Sequence, residues 1–153
     1  MGYCRVKEKF VNYFARVAEE TAKLSVARKL KVGAVIVKDN RILSIGYNGT
    51  PSGWDNECEN PHYEVGEHDP DITYKTKEEV LHAEANALMK LTQSTESSLD
   101  AEMFVTHIPC IECAKLIYQA GIKKITYINE YEASKGSGLE FLKMAGVEVC
   151  PLK

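Results

Sequence analysis

Long apolar runs are missing from the 153-residue sequence, and glycine and proline are scarce, with 10 and 5 residues. No apolar stretch approaches the ~20 residues of a membrane-spanning helix, which excludes a membrane-embedded class. The low glycine and proline content excludes collagen-like and low-complexity chains. The segment MGYCRVKEKF lacks the apolar centre of a signal peptide. We therefore expect one cytoplasmic domain spanning residues 1–153, without a membrane partner.

An excess of positive charge is also missing, because the formal net charge is −3. This value excludes a generally basic nucleic-acid binder, so we expect no nucleic-acid partner. The charge is unevenly distributed: residues 1–31 carry eight Lys and Arg against three Glu, whereas residues 55–79 carry nine acidic residues against two Lys. The basic first segment could hold a phosphate, while the acidic stretch would repel a polyanion.

The five cysteines form an odd number in a chain without an export signal. A disulfide framework is therefore disfavoured, and metal ligation or simple burial is expected instead.

The first half of the sequence predicts a helix followed by a hairpin. Apolar positions recur at helical spacing from Arg5 to Leu24. Residues 32–38 and 41–48 are rich in Val and Ile and predict two strands, joined by Asp39 and Asn40 as a two-residue turn that tolerates positive φ. Residues 49–77 show no periodicity and are interpreted as a long, functional loop.

The second half alternates helices with strands. The order α-β-β-α-β-α-β-α-β predicts an α/β fold, in which an antiparallel hairpin joins parallel crossovers in a mixed sheet with helices on both faces. The predicted elements are a helix from Glu78 to Leu91, a strand at 103–107, a helix at 110–120, a strand at 123–129, a helix at 139–145 and a strand at 147–150.

Two short motifs, His82-Ala83-Glu84 and Pro109-Cys110-Ile111-Glu112-Cys113, suggest metal chemistry. Cys110 and Cys113 share one face at a predicted helix start, where Pro109 suits the first turn and the helix dipole favours thiolates. Two thiolates and one imidazole offer three protein ligands and leave a fourth position for water, which is typical of catalytic zinc.

Glu84 lies only two residues from His82, which is about 200° of rotation in a regular helix. The two side chains converge only if the helix begins or bends there, so we place His82 in its opening turn. A carboxylate beside a metal-bound water is a natural proton carrier. An alternative is a stabilising zinc knuckle completed by Cys58, His62 or His68.

The motif pair H-x-E…P-C-x-x-C is the signature of zinc deaminases. With GYNGTPSG (46–53), HAEANAL (82–88) and GIKKITYINEY (121–131), the sequence resembles deoxycytidylate (dCMP) deaminases, particularly those of tailed bacteriophages. The resemblance implies the cytidine-deaminase fold, a three-layer α/β/α sandwich around a five-stranded mixed sheet. It also implies zinc-dependent hydrolysis of dCMP to dUMP and ammonia, feeding thymidylate synthesis in the host cytoplasm if the chain is phage-encoded.

The resemblance also implies individual roles. His82, Cys110 and Cys113 match the zinc ligands, and Glu84 matches the proton shuttle. The positions matching substrate contacts are Asn48 at the sugar, Ala83 at the pyrimidine edge, and Ser25, Arg28 and Tyr131 at the 5′-phosphate.

Relatives add further expectations. They form hexamers that dCTP activates and dTTP inhibits, which implies homo-oligomers, these two effectors, and Mg²⁺ bound with the triphosphate. Some phage members hold a second zinc partly through a cysteine in the region where this chain has Ala27. Cys58, His62 and His68 could still form such a site.

Other functions remain open at this point. A deaminase of tRNA adenosine, guanine or cytidine would keep the chemistry and change the substrate. A non-catalytic zinc-binding regulator would keep the fold and lose the proton carrier, yet Glu84 is present.

Overall fold

The computed structural model describes residues 5–64, 71–131 and 136–153. None of the helices in these ranges combines the length and apolarity that a membrane crossing requires. In chain order the elements are α1 (Glu8–Ala22), β1 (Gly33–Lys38), β2 (Arg41–Tyr47), β3 (Glu59–Glu64), β4 (Asp71–Thr76), α2 (Ala83–Leu91), β5 (Glu102–His107), α3 (Ile111–Gln119), β6 (Lys124–Asn129), α4 (Leu139–Met144) and β7 (Glu148–Pro151).

The predicted hairpin at Asp39 and Asn40 is confirmed. Lys38 pairs with Arg41 across the turn. The two turn residues have φ values of 51° and 57°, which Asp and Asn adopt more readily than other non-glycine residues. This turn places β2 antiparallel to β1 at one edge of the sheet.

Five strands form one mixed sheet in the order β2-β1-β5-β6-β7. β1 is antiparallel to both β2 and β5, whereas β5, β6 and β7 are parallel. Parallel neighbours require crossovers, and α3 and α4 supply them. The predicted antiparallel hairpin with parallel crossovers is therefore confirmed.

Helices cover both faces of this sheet, as predicted. In β1, Ala34 and Ile36 belong to the apolar cluster beneath α2, α3 and α4, while Val35 and Val37 pack in the cluster beneath α1. This alternation is the period-2 pattern of a strand buried on both sides. The arrangement is the three-layer α/β/α sandwich.

The interpretation of residues 49–77 as an irregular loop is wrong in part, because β3 and β4 form a two-stranded hairpin there. Their register pairs Glu59 with Thr76 and Tyr63 with Ile72. Tyr63 is 62% exposed and Ile72 is 54% exposed, so neither lies in a core. A hairpin without a buried face lacks the selection for apolar–polar alternation by which strands are identified.

The starts of α2 and α3 carry the two sequence motifs. His82 is the N-cap of α2, with extended φ and ψ of −77° and 151°, so the later helix start predicted from the His82–Glu84 spacing is confirmed. Cys110 is the N-cap of α3. Pro109 therefore precedes the N-cap, and its predicted place in the first turn is wrong, because the helical backbone begins only at Ile111.

The backbone of α2 lies directly on β2 at Gly46. A Cβ built there would lie 2.5 Å from the backbone nitrogen of Ala87 and closer still to the carbonyl oxygen of Ala83. Only a residue without a side chain permits this approach.

We expect Gly46→Ala to lower the free energy of unfolding by about 1–3 kcal/mol, the usual cost of overpacking, because the added methyl group meets backbone atoms. Urea unfolding followed by circular dichroism measures the loss. Gly49→Ala is the matched control, since nothing lies within 4 Å of a Cβ at that position. Equal stability of the two variants would contradict the close approach.

Candidate active site

A cavity of about 720 Å³ opens above the starts of α2 and α3. Its wall comes from the segment before β1, the end of β2, the base of the β3–β4 hairpin and the end of β5. Six residues singled out from the sequence line it: Asn48, His82, Ala83, Glu84, Cys110 and Tyr131.

His82, Cys110 and Cys113 form a cluster that can hold a metal ion. The Nδ1 atom of His82 lies 3.5 Å from Cys110 Sγ and 3.4 Å from Cys113 Sγ. All three ligand atoms lie within 4.8 Å of one another. Tetrahedral zinc with ordinary Zn–N and Zn–S bonds separates such atoms by about 3.6 Å. The donor set and its spacing therefore fit zinc.

The two helix starts explain this convergence. His82 and Cys110 are N-caps, and Cys113 lies in the first turn of α3. The unpaired N–H groups of a helix start create positive potential, which stabilises nearby thiolates. Cys110 is 6% exposed and Cys113 is 3% exposed, so this potential acts with little screening by water.

The two thiols share a proton. The hydrogen bond from the Cys113 thiol, and to a lesser extent His82, lower the pKa of Cys110 to about 3 against the opposing effect of burial. The same hydrogen bond, followed by burial, raises the pKa of Cys113. The pair therefore carries negative charge at neutral pH, which attracts a cation.

Glu84 places a carboxyl group in the same cavity wall. It lies in the first turn of α2 and is only 4% exposed. Burial raises the pKa of Glu84 above its ordinary value. A carboxyl whose pKa moves toward neutrality can both accept and return a proton during a reaction.

Asn48 joins the end of β2 to the segment before β1. Its Oδ1 accepts a hydrogen bond of 2.8 Å from the backbone N–H of Val32, and its Nδ2 donates one of 2.8 Å to Leu30 O. Tyr131 lines the cavity, with its ring centroid 6.0 Å from that of His107 in an edge-on contact.

Ser25 and Arg28 do not line the cavity. Ser25 is buried, and its hydroxyl donates to Asn48 O at 2.7 Å and accepts from Ala27 N at 3.2 Å. Arg28 is exposed and forms an ion pair with Glu57 at 3.2 Å. Its guanidinium also lies 5.7 Å from the centre of the Tyr74 ring. Their phosphate-binding roles stay predictions.

Sequence reasoning missed several cavity residues, among them Lys29, Lys75, Lys77 and His107. A signal for two of them was present, since Lys75 and Lys77 are the two cations within the acidic stretch 55–79. Burial lowers the pKa of His107, so its ring is neutral at physiological pH.

The second zinc site stays a prediction. Cys58 is buried in a small apolar cluster with Ala27 and Val80, and His62 lies on β3. In the described part of the chain, Cys58 and His62 belong to no cluster of three metal-ligating side chains. His68 lies outside the described residues.

The sequence model of the cytidine and deoxycytidylate deaminase zinc-binding region matches residues 8–129. The deoxycytidylate deaminase of Enterobacteria phage T4 is 35% identical, over 78% of this chain and 77% of that protein. The human deoxycytidylate deaminase is 34% identical, over 94% of this chain and 82% of that protein.

A solved structure gives the same result. The crystal structure of dCMP deaminase from cyanophage S-TIM5, in complex with dCMP and dUMP, has a TM-score of 0.82 and 40% identity. The match covers 97% of this chain and 100% of that one. Because the family model spans both the H-x-E and P-C-x-x-C motifs, and because the human relative is 34% identical over 94% of this chain, this chain belongs to the cytidine and deoxycytidylate deaminase family.

Proposed function

We propose that this protein hydrolyses dCMP to dUMP and ammonia, using a zinc ion bound by His82, Cys110 and Cys113. One observation carries the proposal: the buried Glu84 carboxyl lines the same cavity as His82 and Cys110, two members of the His–Cys–Cys cluster. The relative from cyanophage S-TIM5, named a dCMP deaminase, binds dCMP and dUMP, which supports this substrate. We also propose that residues 1–153 form one catalytic domain.

A zinc ion in this cluster would supply a water of lowered pKa, near ~7, as the nucleophile. Glu84 takes a proton from the water that attacks C4 of cytosine and passes it to N3. Glu84 then takes the second proton of that oxygen and delivers it to the amino nitrogen. The C4–N bond breaks, ammonia leaves, and C4 retains the oxygen as a carbonyl, so water and dCMP give dUMP and ammonia.

Glu84→Gln should lower kcat for dCMP by about 10³-fold or more, near the upper range for one acid–base group, because Glu84 serves several proton transfers. Its zinc content should stay near that of the wild type, since Glu84 is not a proposed ligand. Ammonia release measures kcat, and metal analysis of the purified protein measures zinc.

Cys113→Ala is the matched control, because it removes one of the three proposed zinc ligands and should lose zinc and activity together. A Glu84→Gln variant that keeps zinc and retains activity would contradict the shuttle role.

The remaining contacts orient the substrate. We propose that Asn48 meets the sugar and that the backbone of Ala83 meets the pyrimidine edge, since both line the cavity beside Glu84. Tyr131 and His107, whose rings contact each other, both line the cavity. The 5′-phosphate has two sets of candidate contacts. The structure adds three cavity lysines, Lys29, Lys75 and Lys77, to the residues predicted from the resemblance, which are Ser25, Arg28 and Tyr131.

Substitution of Lys29 and Arg28 separates these candidates. If Lys29 contacts the phosphate, Lys29→Ala should lower kcat/KM for dCMP by about tenfold to a hundredfold, the loss of one charge-assisted contact, and leave deoxycytidine unaffected. Arg28→Ala should show this pattern instead if the family resemblance holds at that residue. Ammonia release from dCMP, deoxycytidine, guanine and a tRNA stem-loop decides both the contact and the substrate class.

Regulation by dCTP and dTTP with Mg²⁺, in a hexamer, stays a prediction of the resemblance. The loop after β2 offers backbone that a triphosphate could approach, because nothing lies within 4 Å of a Cβ at Gly49 or Gly53. We expect sigmoidal dCMP kinetics that dCTP makes hyperbolic and dTTP inhibits. Hyperbolic kinetics unchanged by either effector, with a monomeric mass by light scattering, would contradict regulation and leave the catalytic proposal intact.

A further inference from the structure

We propose that the backbone of residues 136–138 positions the Cys110 metal ligand, and that this role requires glycine at position 138. The inference rests on the proposed metal site and adds a residue that neither motif contains. Residues 136–138 are called the clamp segment below.

The clamp segment runs antiparallel to the loop that carries Cys110. The backbone N–H of Ile111 donates to Gly136 O at 3.0 Å, and the N–H of Gly138 donates to Pro109 O at 2.8 Å. Cys110 and Ser137 face each other in an isolated β-bridge. Two main-chain hydrogen bonds therefore flank the metal ligand, one on either side.

These two hydrogen bonds fix the backbone of Cys110, and the backbone of Cys110 determines where its sulfur atom points. Cys110 is an N-cap, so its backbone is extended rather than helical, and the α3 ladder alone does not determine its φ and ψ. Ile111 N–H is one of the unpaired donors of the first helical turn, and Gly136 O satisfies it. The clamp segment supplies the constraint that the helix itself does not.

Gly138 allows the clamp segment to lie this close. A Cβ at this position would lie 2.5 Å from Ala114 Cβ and 2.9 Å from the carbonyl oxygens of both Pro109 and Cys110. The backbone φ of Gly138 is −81°, which any residue can adopt. Glycine is therefore needed at this position because a side chain has no room, and not because of the backbone conformation.

The clamp segment cannot simply move away from an added methyl group. Gly138 is the N-cap of α4, and its carbonyl accepts from Leu142 N–H at 3.0 Å. Leu142 is fully buried in the core beneath α3 and α4. Because α4 is anchored, an added methyl group at position 138 must displace the backbone of Pro109 and Cys110 instead. Cys110 Sγ then moves relative to His82 and Cys113.

The test is zinc affinity, measured by competition with a chromophoric chelator on the full chain. Gly138→Ala should bind zinc at least about tenfold more weakly than the wild type, the range for losing a group that orients a ligand. The thiolate-to-metal absorption of the cobalt-loaded protein should shift as well, since it reports the geometry at both sulfur atoms.

Gly33→Ala is the matched control. Its Cβ would lie 2.5 Å from Ala22 N and 3.0 Å from Ala22 Cα, on the α1 side of the sheet. It therefore creates a comparable backbone clash away from the clamp segment. Wild-type zinc affinity and cobalt spectrum in Gly33→Ala, together with the changes in Gly138→Ala, support the proposal. Equal changes in both variants, or none in Gly138→Ala, overturn it.

Ser137→Ala keeps the test decisive if Gly138→Ala does not fold. It adds no atom and removes the hydrogen bond of 3.2 Å from Leu139 N–H to Ser137 Oγ, which holds the turn into α4. A smaller weakening of zinc binding, with a shifted cobalt spectrum, is expected, and wild-type values for both overturn the proposal. Wild-type protein that binds no zinc would instead refute the proposed metal site.

Discussion

Two helix N-termini, those of α2 and α3, must meet for this site to exist. His82 and Cys110 are their N-caps, and Glu84 and Cys113 lie in their first turns. An N-cap residue has an extended backbone, so its side chain is directed towards the N-terminal end of the helix and not outward from the helix axis. This geometry lets residues two apart in sequence face one cavity, which a regular helix does not permit.

The sheet brings the two starts together. The chain enters α3 from β5 and returns to the sheet through β6, while α2 packs on β1 and β2 beside it. Close backbone approaches set the distances, because glycine at 46 lets α2 descend onto β2 and glycine at 138 lets the segment before α4 reach the metal loop. Small residues thus determine where large reactive side chains lie.

Burying the charged groups of the site has an unfavourable free energy. Two sulfur atoms and the Glu84 carboxyl lie almost out of contact with water, and burying several negative groups together is unfavourable unless positive charge compensates. The helix starts supply partial positive charge, and a bound dication would supply the rest. Burial raises the pKa of Glu84, which is the direction that a proton carrier needs.

Features that depend on a few neighbouring residues were predicted correctly from the sequence. The turn at Asp39 and Asn40, and the helix start at His82, each follow from backbone constraints that a few residues express. Sequence reasoning failed for the β3–β4 hairpin, whose strands bury no face and pair residues as distant as Glu59 and Thr76. Two of the three cavity lysines were missed for the same reason, since Lys75 and Lys77 belong to this hairpin and its base.

The cavity also shows why a net charge of −3 does not exclude an anionic substrate. The acidic stretch 55–79 contains two lysines, and both line the cavity. Glu59, an acidic residue of the same wall, is buried, and its Oε1 accepts from the backbone N–H groups of Arg28 at 2.9 Å and Lys29 at 3.1 Å. Those bonds hold a bend from which Lys29 faces the cavity while Arg28 turns to the hairpin. A mononucleotide is attracted by the charged side chains that face it, and the net charge of a sequence segment does not show which side chains those are.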